Sequence, residues 1–218
     1  MNILAIDTSS ELATVAIEAF GEHYSEEQEG FRQHAQLLLP MVERLLQRAE
    51  ISFKELNGIA FGRGPGSFTG LRIACSVAKG LAYAHDLPLY PVSSLATINN
   101  EAQLVEPYPH VLAMMDARMH QVYWGYFHKD VLQGNEQVSA PSDILLPDAS
   151  SILLAGVGFE AYLPLLPPTL QQNIVNYSSA FPKASAMIRL VQGGQINPVS
   201  AAEALPVYVR DQVTQGEK

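Results

Sequence analysis

The stretch Gly62-Arg63-Gly64-Pro65-Gly66-Ser67-Phe68-Thr69-Gly70-Leu71-Arg72 restricts the fold more than any other part of this chain. Ile59, Ala60 and Phe61 before it read as a short buried strand, and Leu71 to His85 after it is long enough for a helix of about four turns. The loop is therefore a strand-to-helix turn. Gly64, Gly66 and Gly70 let the backbone approach another surface, Pro65 stiffens the turn, and Ser67 or Thr69 can cap a helix whose amino end attracts anions. Spacing excludes three enzyme uses. A P-loop needs Lys and then Ser or Thr after its last glycine, but Gly70 is followed by Leu71 and Arg72. The dinucleotide fingerprint fails at its third glycine, where Thr69 stands, and a nucleophile elbow fails because Ser67 lies between Pro65 and Thr69. A tight turn without a ligand stays open as the alternative.

Charge narrows the partners. The chain has 22 acidic against 13 basic residues, a net charge of −9, which opposes extensive contact with phosphate backbones, so any role with RNA is expected to be indirect. Apolar residues make up 48% and charged residues only 16% of its 218 positions, so some apolar surface is expected to meet a partner. The single cysteine, Cys75, lies in an apolar helix and reads as a structural thiol. Neither a leader pattern nor a membrane-length apolar run is visible, and a cytoplasmic protein is expected.

In chain order, Ile3–Ile6 and Thr14–Phe20 read as a hairpin, followed by a polar strand near Glu22–Glu27 and a helix over Gln33–Ala49 that Pro40 should kink. A strand to Phe61, the glycine loop, its helix, a strand Leu89–Val92 and a helix capped by Ser93 or Ser94 complete a β-β-β-α-β-α-β-α unit. The same order restarts after Pro107 with strands Val111–Asp116, Gln121–His128 and Val131–Val138. A short helix near Ser142, a strand Ile152–Ala155, a helix from Phe159, a strand near Val175 and a helix Ala184–Gln192 closed by Gly193 follow. The expected fold class is α/β, two actin-like (ASKHA, ribonuclease H-like) domains over 1–106 and 107–218, with the C-terminal segment a candidate to pack back on the first. In such folds the first hairpin turn of each domain points into a nucleotide cleft, which makes Asp7, Thr8, Ser9, Asp116 and Arg118 candidate cleft residues. Asx turns at Asp7 and Asp116 are the competing use.

Ile3-Leu4-Ala5-Ile6-Asp7-Thr8-Ser9, His34-Ala35-Gln36-Leu37-Leu38-Leu39-Pro40, the glycine loop and Asp116-Ala117-Arg118 resemble the bacterial TsaB (YeaZ) family. The likeness runs from Met1 to about Tyr123, is looser beyond, and returns at Leu205-Pro206-Val207-Tyr208-Val209-Arg210. It implies a non-catalytic subunit in making N6-threonylcarbamoyladenosine at position 37 of transfer RNA. It also implies a catalytic paralogue, TsaD, as partner, the ATPase TsaE joining the pair, and a homodimer when TsaD is absent. No cofactor is expected on this chain itself, with ATP or ADP left open at the interface of the complex. Where TsaD-like proteins carry two metal-binding histidines four residues apart, this chain has Ser94 and Ile98, which are a poor ligand and no ligand.

The rival class is an enzyme, either an ATP-dependent phosphotransferase or a glycoprotease-like peptidase. The first needs a base and a magnesium-bearing phosphate cradle, the second a metal or an activated nucleophile. The histidines never fall at i, i+4 spacing and read as surface or capping residues. The partner surface is expected on the two helices flanking the glycine-loop strand, because their apolar arcs are wider than one sheet should bury. Its candidates are Leu37, Leu38, Met41, Val42, Leu45, Leu71, Ala74, Val77, Ala78 and Leu81, with Arg118 at the cleft rim. The resemblance implies that these helices join two from the partner in a four-helix bundle.

Overall fold

The computed structural model describes residues 1–30, 33–104, 107–147 and 150–209. In the first half, β1 (Ile3–Asp7), β2 (Leu12–Ala19) and β3 (Glu22–Glu29) precede α1 (His34–Arg48), β4 (Gly58–Gly64), α2 (Phe68–His85), β5 (Leu89–Ser93) and α3 (Ser94–Ala102). The second half contains β6 (His110–Asp116), β7 (Val122–His128), β8 (Val131–Leu132), β9 (Gln137–Ser139), β10 (Ile152–Val157), α4 (Pro168–Asn173), β11 (Ile174–Ser179) and α5 (Ala184–Gln192). Two separate sheets form, in the orders β3-β2-β1-β4-β5 and β11-β10-β6-β7-β8, with β9 also on β7. In each, the first strand pairs antiparallel with its hairpin partner and parallel with the strand that follows the crossover. This is the repeated two-domain actin-like architecture.

Three expected elements differ. The strand expected over Val131–Val138 is broken into β8 and β9, with Gly134 at φ +81° between them. The helix expected from Phe159 is a 3-10 turn over Glu160–Leu165 that contains Pro164, with α4 beginning only after Pro167. The second half thus has 3-10 turns at Pro141–Asp143 and Glu160–Leu165 where the first has long helices. At Gly193 the backbone is right-handed, φ −68°, and the left-handed residue is Gly194. Val105 and Glu106, beside the expected domain boundary, and Arg210 of the closing motif lie outside the described residues.

Alternation along β1 explains its continuous apolar run. Leu4 and Ile6 face one side and pack in the cluster of α1 and α2, whereas Ile3 and Ala5 face the other and meet Met187, Ile188 and Val191 of α5. Helix α1 presents Leu38, Met41, Val42, Leu45 and Leu46 to the sheet, the i, i+3, i+4, i+7, i+8 spacing of one helix face. The equivalent helices α3 and α5 lie between the sheets and touch each other. Leu95, Ile98 and Ala102 of α3 pack on Val111, Ala113 and Leu153 of the second sheet, while α5 packs on the first. The hydroxyl of Thr14 on β2 accepts the Ala184 N–H at 2.9 Å, so the first sheet caps the start of α5.

Beyond α5 the chain crosses back over the first domain. Val199 and Leu89 exchange two backbone hydrogen bonds of 2.8 and 2.9 Å, Lys79 donates to the Ala204 carbonyl at 3.0 Å, and the Val207 N–H donates to Arg63 O at 2.7 Å. This strap corrects the expected partner surface. Leu38, Met41, Val42, Leu45, Leu71, Ala74 and Ala78 are all buried inside this one chain, because the five-stranded sheet takes both helices and Ala204 covers the flank of α2. Only Leu37, Val77 and Leu81 of that apolar set remain half-exposed, beside Ile73.

The glycine loop packs on the first hairpin turn. A Cβ at Gly70 would stand 1.7 Å from the Thr8 carbonyl oxygen and one at Gly66 2.4 Å from that of Ser9. Gly70→Ala should therefore cost about 1–3 kcal/mol in urea unfolding. Gly80, in the same helix with nothing within 4 Å, is the control: Gly80→Ala should gain about 0.5–1 kcal/mol. Equal effects would refute close approach as the reason for Gly70.

Candidate functional site

A cleft of about 620 Å³ opens between the halves. Its walls are the turn after β1 (Ser9, Ser10, Glu11), the glycine loop from Pro65 to Thr69, the β6–β7 turn from Asp116 to Arg118, Gly158 after β10, and the strap at Val207–Val209. Leu71, Met115, Tyr123 and Val157 make its apolar floor. Of the expected cleft residues, Ser9, Asp116 and Arg118 line it.

The two turns repeat one device. Asp7 Oδ1 accepts the Ser9 N–H at 2.8 Å, and Asp116 Oδ1 accepts the Arg118 N–H at 2.8 Å, so each aspartate closes an Asx turn. Their surroundings then diverge. Asp7 is not a cleft residue. It is fully buried beneath the turn, its Oδ1 also accepts the Ser9 hydroxyl at 2.8 Å, and its Oδ2 has no hydrogen-bond partner. That oxygen abuts Gly62, where a Cβ would fall 1.8 Å away. Burial pushes the Asp7 carboxyl from 3.8 up to about 7, against the opposing pull of the Ser9 hydrogen bonds. Thr8 is buried as well, donating its hydroxyl to Gly70 O at 2.7 Å, and Ser9 alone of the three lines the cleft.

Asp116 faces the cleft. Its Oδ1 also accepts the Tyr162 hydroxyl at 2.7 Å, and its Oδ2 pairs with Arg118 at 3.0 Å. The Arg118 side chain is 79% exposed, so this pair adds little stability and leaves the guanidinium at the rim. Arg118, Met119 and His120 sit consecutively at φ 62°, 53° and 58°, a left-handed run that costs about 1–2 kcal/mol per non-glycine residue. Ser67, not Thr69, caps α2, accepting the Gly70 N–H at 3.3 Å, and Gly64-Pro65 is a cis peptide.

Sequence reasoning missed an aromatic corner at the mouth. Arg72 lies 3.9 Å over the Phe68 ring and donates to the Tyr208 hydroxyl at 3.1 Å, while Tyr208 packs on Phe68 at 5.3 Å between centroids. Phe68 and Arg72 share a helix face, but no local pattern brings Tyr208 there. His34, expected at the surface, is buried, with Nε2 3.3 Å from Glu11 O, and His85 stacks on Phe53. The Cys75 thiol is buried and pushed up by that burial, the opposite of an activated nucleophile. Among the described residues no group of three or more His, Cys, Asp or Glu side chains could hold a metal, and no helix is long and apolar enough to cross a membrane.

An actin-like pair of domains with the glycine loop and Asx turns around one cleft defines the class. Within it, residues 22–175 match the family model described as TsaD, tRNA N6-adenosine threonylcarbamoyltransferase. The tRNA threonylcarbamoyladenosine biosynthesis protein TsaB of Haemophilus influenzae is 31% identical over 98% of this chain and 95% of its own. That of Escherichia coli is 42% identical over 60% of this chain and 56% of its own. The solved structure of YeaZ from Pseudomonas aeruginosa is 38% identical and superposes with a TM-score of 0.86, covering 95% of this chain and 99% of that one. The chain belongs to the TsaB (YeaZ) family.

The buried Asp7 makes a pH test. Both folded and unfolded carboxyls are protonated below 3.8. Between there and about 7 only the unfolded chain ionises, so this contribution to stability is lost as pH rises and is flat above. The whole span is worth on the order of 4 kcal/mol for an isolated group. Asp7→Asn should therefore melt above the parent at pH 8, with the gap closing toward pH 4. Parallel melting profiles would overturn the assignment.

Proposed function

We propose that this chain is a non-catalytic, activating subunit for threonylcarbamoyladenosine formation at position 37 of transfer RNA, paired with TsaD and joined by TsaE. The observation that carries the reading is the occupation of the glycine loop by the chain's own backbone. Gly66 and Gly70 lie against the carbonyls of Ser9 and Thr8, and Ser67 N–H donates to Ser9 O at 2.7 Å, so the loop's groups serve packing and not a phosphate. The buried Asp7 has no route to a reacting atom, which disfavours the phosphotransferase reading, and the raised Cys75 thiol disfavours a nucleophilic peptidase. No cofactor is assigned to this chain. ATP or ADP would belong to the interface of the complex, tRNA contact is indirect, and the setting is the cytoplasm.

The partner surface in this reading is the outer seam of α1 and α2. Ile73, Val77, Gly80, Leu81 and Ala84 fall on one face of α2 at helical spacing and are half-buried or exposed. Gly80 has open space around its Cβ position and Ala84 is small, so another helix can come close. The same seam would serve a second copy when TsaD is absent.

Val77→Glu and Leu81→Glu should stay folded by circular dichroism but lose co-purification with TsaD from the same organism. Folded variants that still pair would remove this seam from the interface. The parent protein incubated with ATP and magnesium should show no turnover above a mock preparation, and turnover abolished by Asp7→Ala would restore the enzyme reading. Arg118→Glu should weaken assembly of the TsaD–TsaE complex with the melting temperature nearly unchanged, because its side chain is 79% exposed. Unchanged assembly would leave Arg118 a surface residue.

A further inference from the structure

Away from the cleft, the β6–β7 ladder brings together three side chains that helical spacing rules never connect. His110 and His128 are directly opposite in the antiparallel register, and Tyr126 lies two residues before His128 on the same face. Tyr126 Oη is 2.6 Å from His110 Nδ1, and His128 Nδ1 is 3.2 Å from that same nitrogen. The His110 ring is coplanar in orientation with Tyr126 and inclined 36° to His128. An imidazole nitrogen has one in-plane position, either a lone pair or an N–H, so His110 Nδ1 cannot make a full hydrogen bond to both neighbours at once.

We propose that His110, His128 and Tyr126 form a binding site for one divalent late transition-metal ion of the copper or zinc kind. Two imidazole nitrogens 3.2 Å apart, each about 2.0–2.1 Å from such an ion, subtend about 100°, close to a tetrahedral angle. The phenol oxygen, now at hydrogen-bond distance, completes a third ligand by moving outward a few tenths of an ångström, and water takes the fourth position. Imidazole suits copper and zinc. Both histidines are half-exposed, so a hydrated ion can reach them, whereas Tyr126 is buried. Cu²⁺, which binds such a ligand set more tightly than Zn²⁺ does, is the favoured ion.

The test uses the full chain without a polyhistidine tag, stripped with chelator and titrated with Zn²⁺ by calorimetry and with Cu²⁺ by visible absorption and electron paramagnetic resonance. One ion per chain is expected, with nitrogen hyperfine structure from two imidazoles. His110→Gln and His128→Gln should each weaken binding at least about tenfold, the loss that even groups behind the ligands produce. Tyr126→Phe should remove the phenolate-to-copper charge-transfer band while keeping the nitrogen signal. Circular dichroism checks folding of each variant. Should the histidine variants fail to fold, the parent's copper spectrum decides, because a spectrum without two nitrogens overturns the site. Titrations of parent and folded His110→Gln that superimpose would also overturn it, leaving a hydrogen-bonded trio.

Discussion

The contact between the glycine loop and the first hairpin turn is what the rest of the molecule depends on. Thr8 Oγ1 donates to Gly70 O, Ser67 N–H donates to Ser9 O, and side chains at positions 66 and 70 would occupy the space those carbonyls fill. Two backbones can run this close only without a Cβ between them. The contact fixes the start of α2 against the end of β1, which sets the direction in which α2 crosses the sheet. It also uses the polar groups that an anion would otherwise meet. A loop built on the same residue types as a phosphate cradle is here a joint between two elements.

From that joint the layers follow. Each sheet is covered on one face by elements of its own half and on the other by the helix that follows the other half's last strand. The exchange of α3 and α5 locks the halves together, because neither helix can leave without exposing a row of fully buried residues. Polar links reinforce the crossing. Glu136, with a side chain only 7% exposed, accepts from Ser93 at the start of α3 and pairs with Arg63 at 3.2 Å. Arg189 of α5 holds Glu101 of α3 at 2.8 Å. An unpaired charge so far from water would be costly, so Glu136 depends on both partners.

Duplication makes the differences between the halves informative. Both first strands end in an aspartate that closes an Asx turn, yet Asp7 is sealed behind Gly62 while Asp116 is hydrogen-bonded to Tyr162 and faces solvent. The first half carries long covering helices and the second carries 3-10 turns at Pro141–Asp143 and Glu160–Leu165. Prolines 141, 164 and 167 remove the amide donors that a continuous helix would need there.

The sequence by itself determined the strand-to-helix turn at Gly62–Arg72, the repeated strand order, the aspartate at the end of each first strand and the family. These are local: glycine content, apolar runs and strand alternation act over a few residues, and the motif residues are contiguous. Only the tertiary structure decided which face of each helix is covered and by what. The wide apolar arc of α2 looked like a partner surface because the strap that covers it arrives from Ala204, more than a hundred residues later. The same distance hid the Tyr208 corner, and the cross-strand register hid the meeting of His110 with His128. Burial of Asp7 was hidden for a related reason. Whether a strand-end carboxylate faces solvent or a glycine on the neighbouring strand depends on the parallel β1–β4 pairing, a long-range contact that no local pattern encodes.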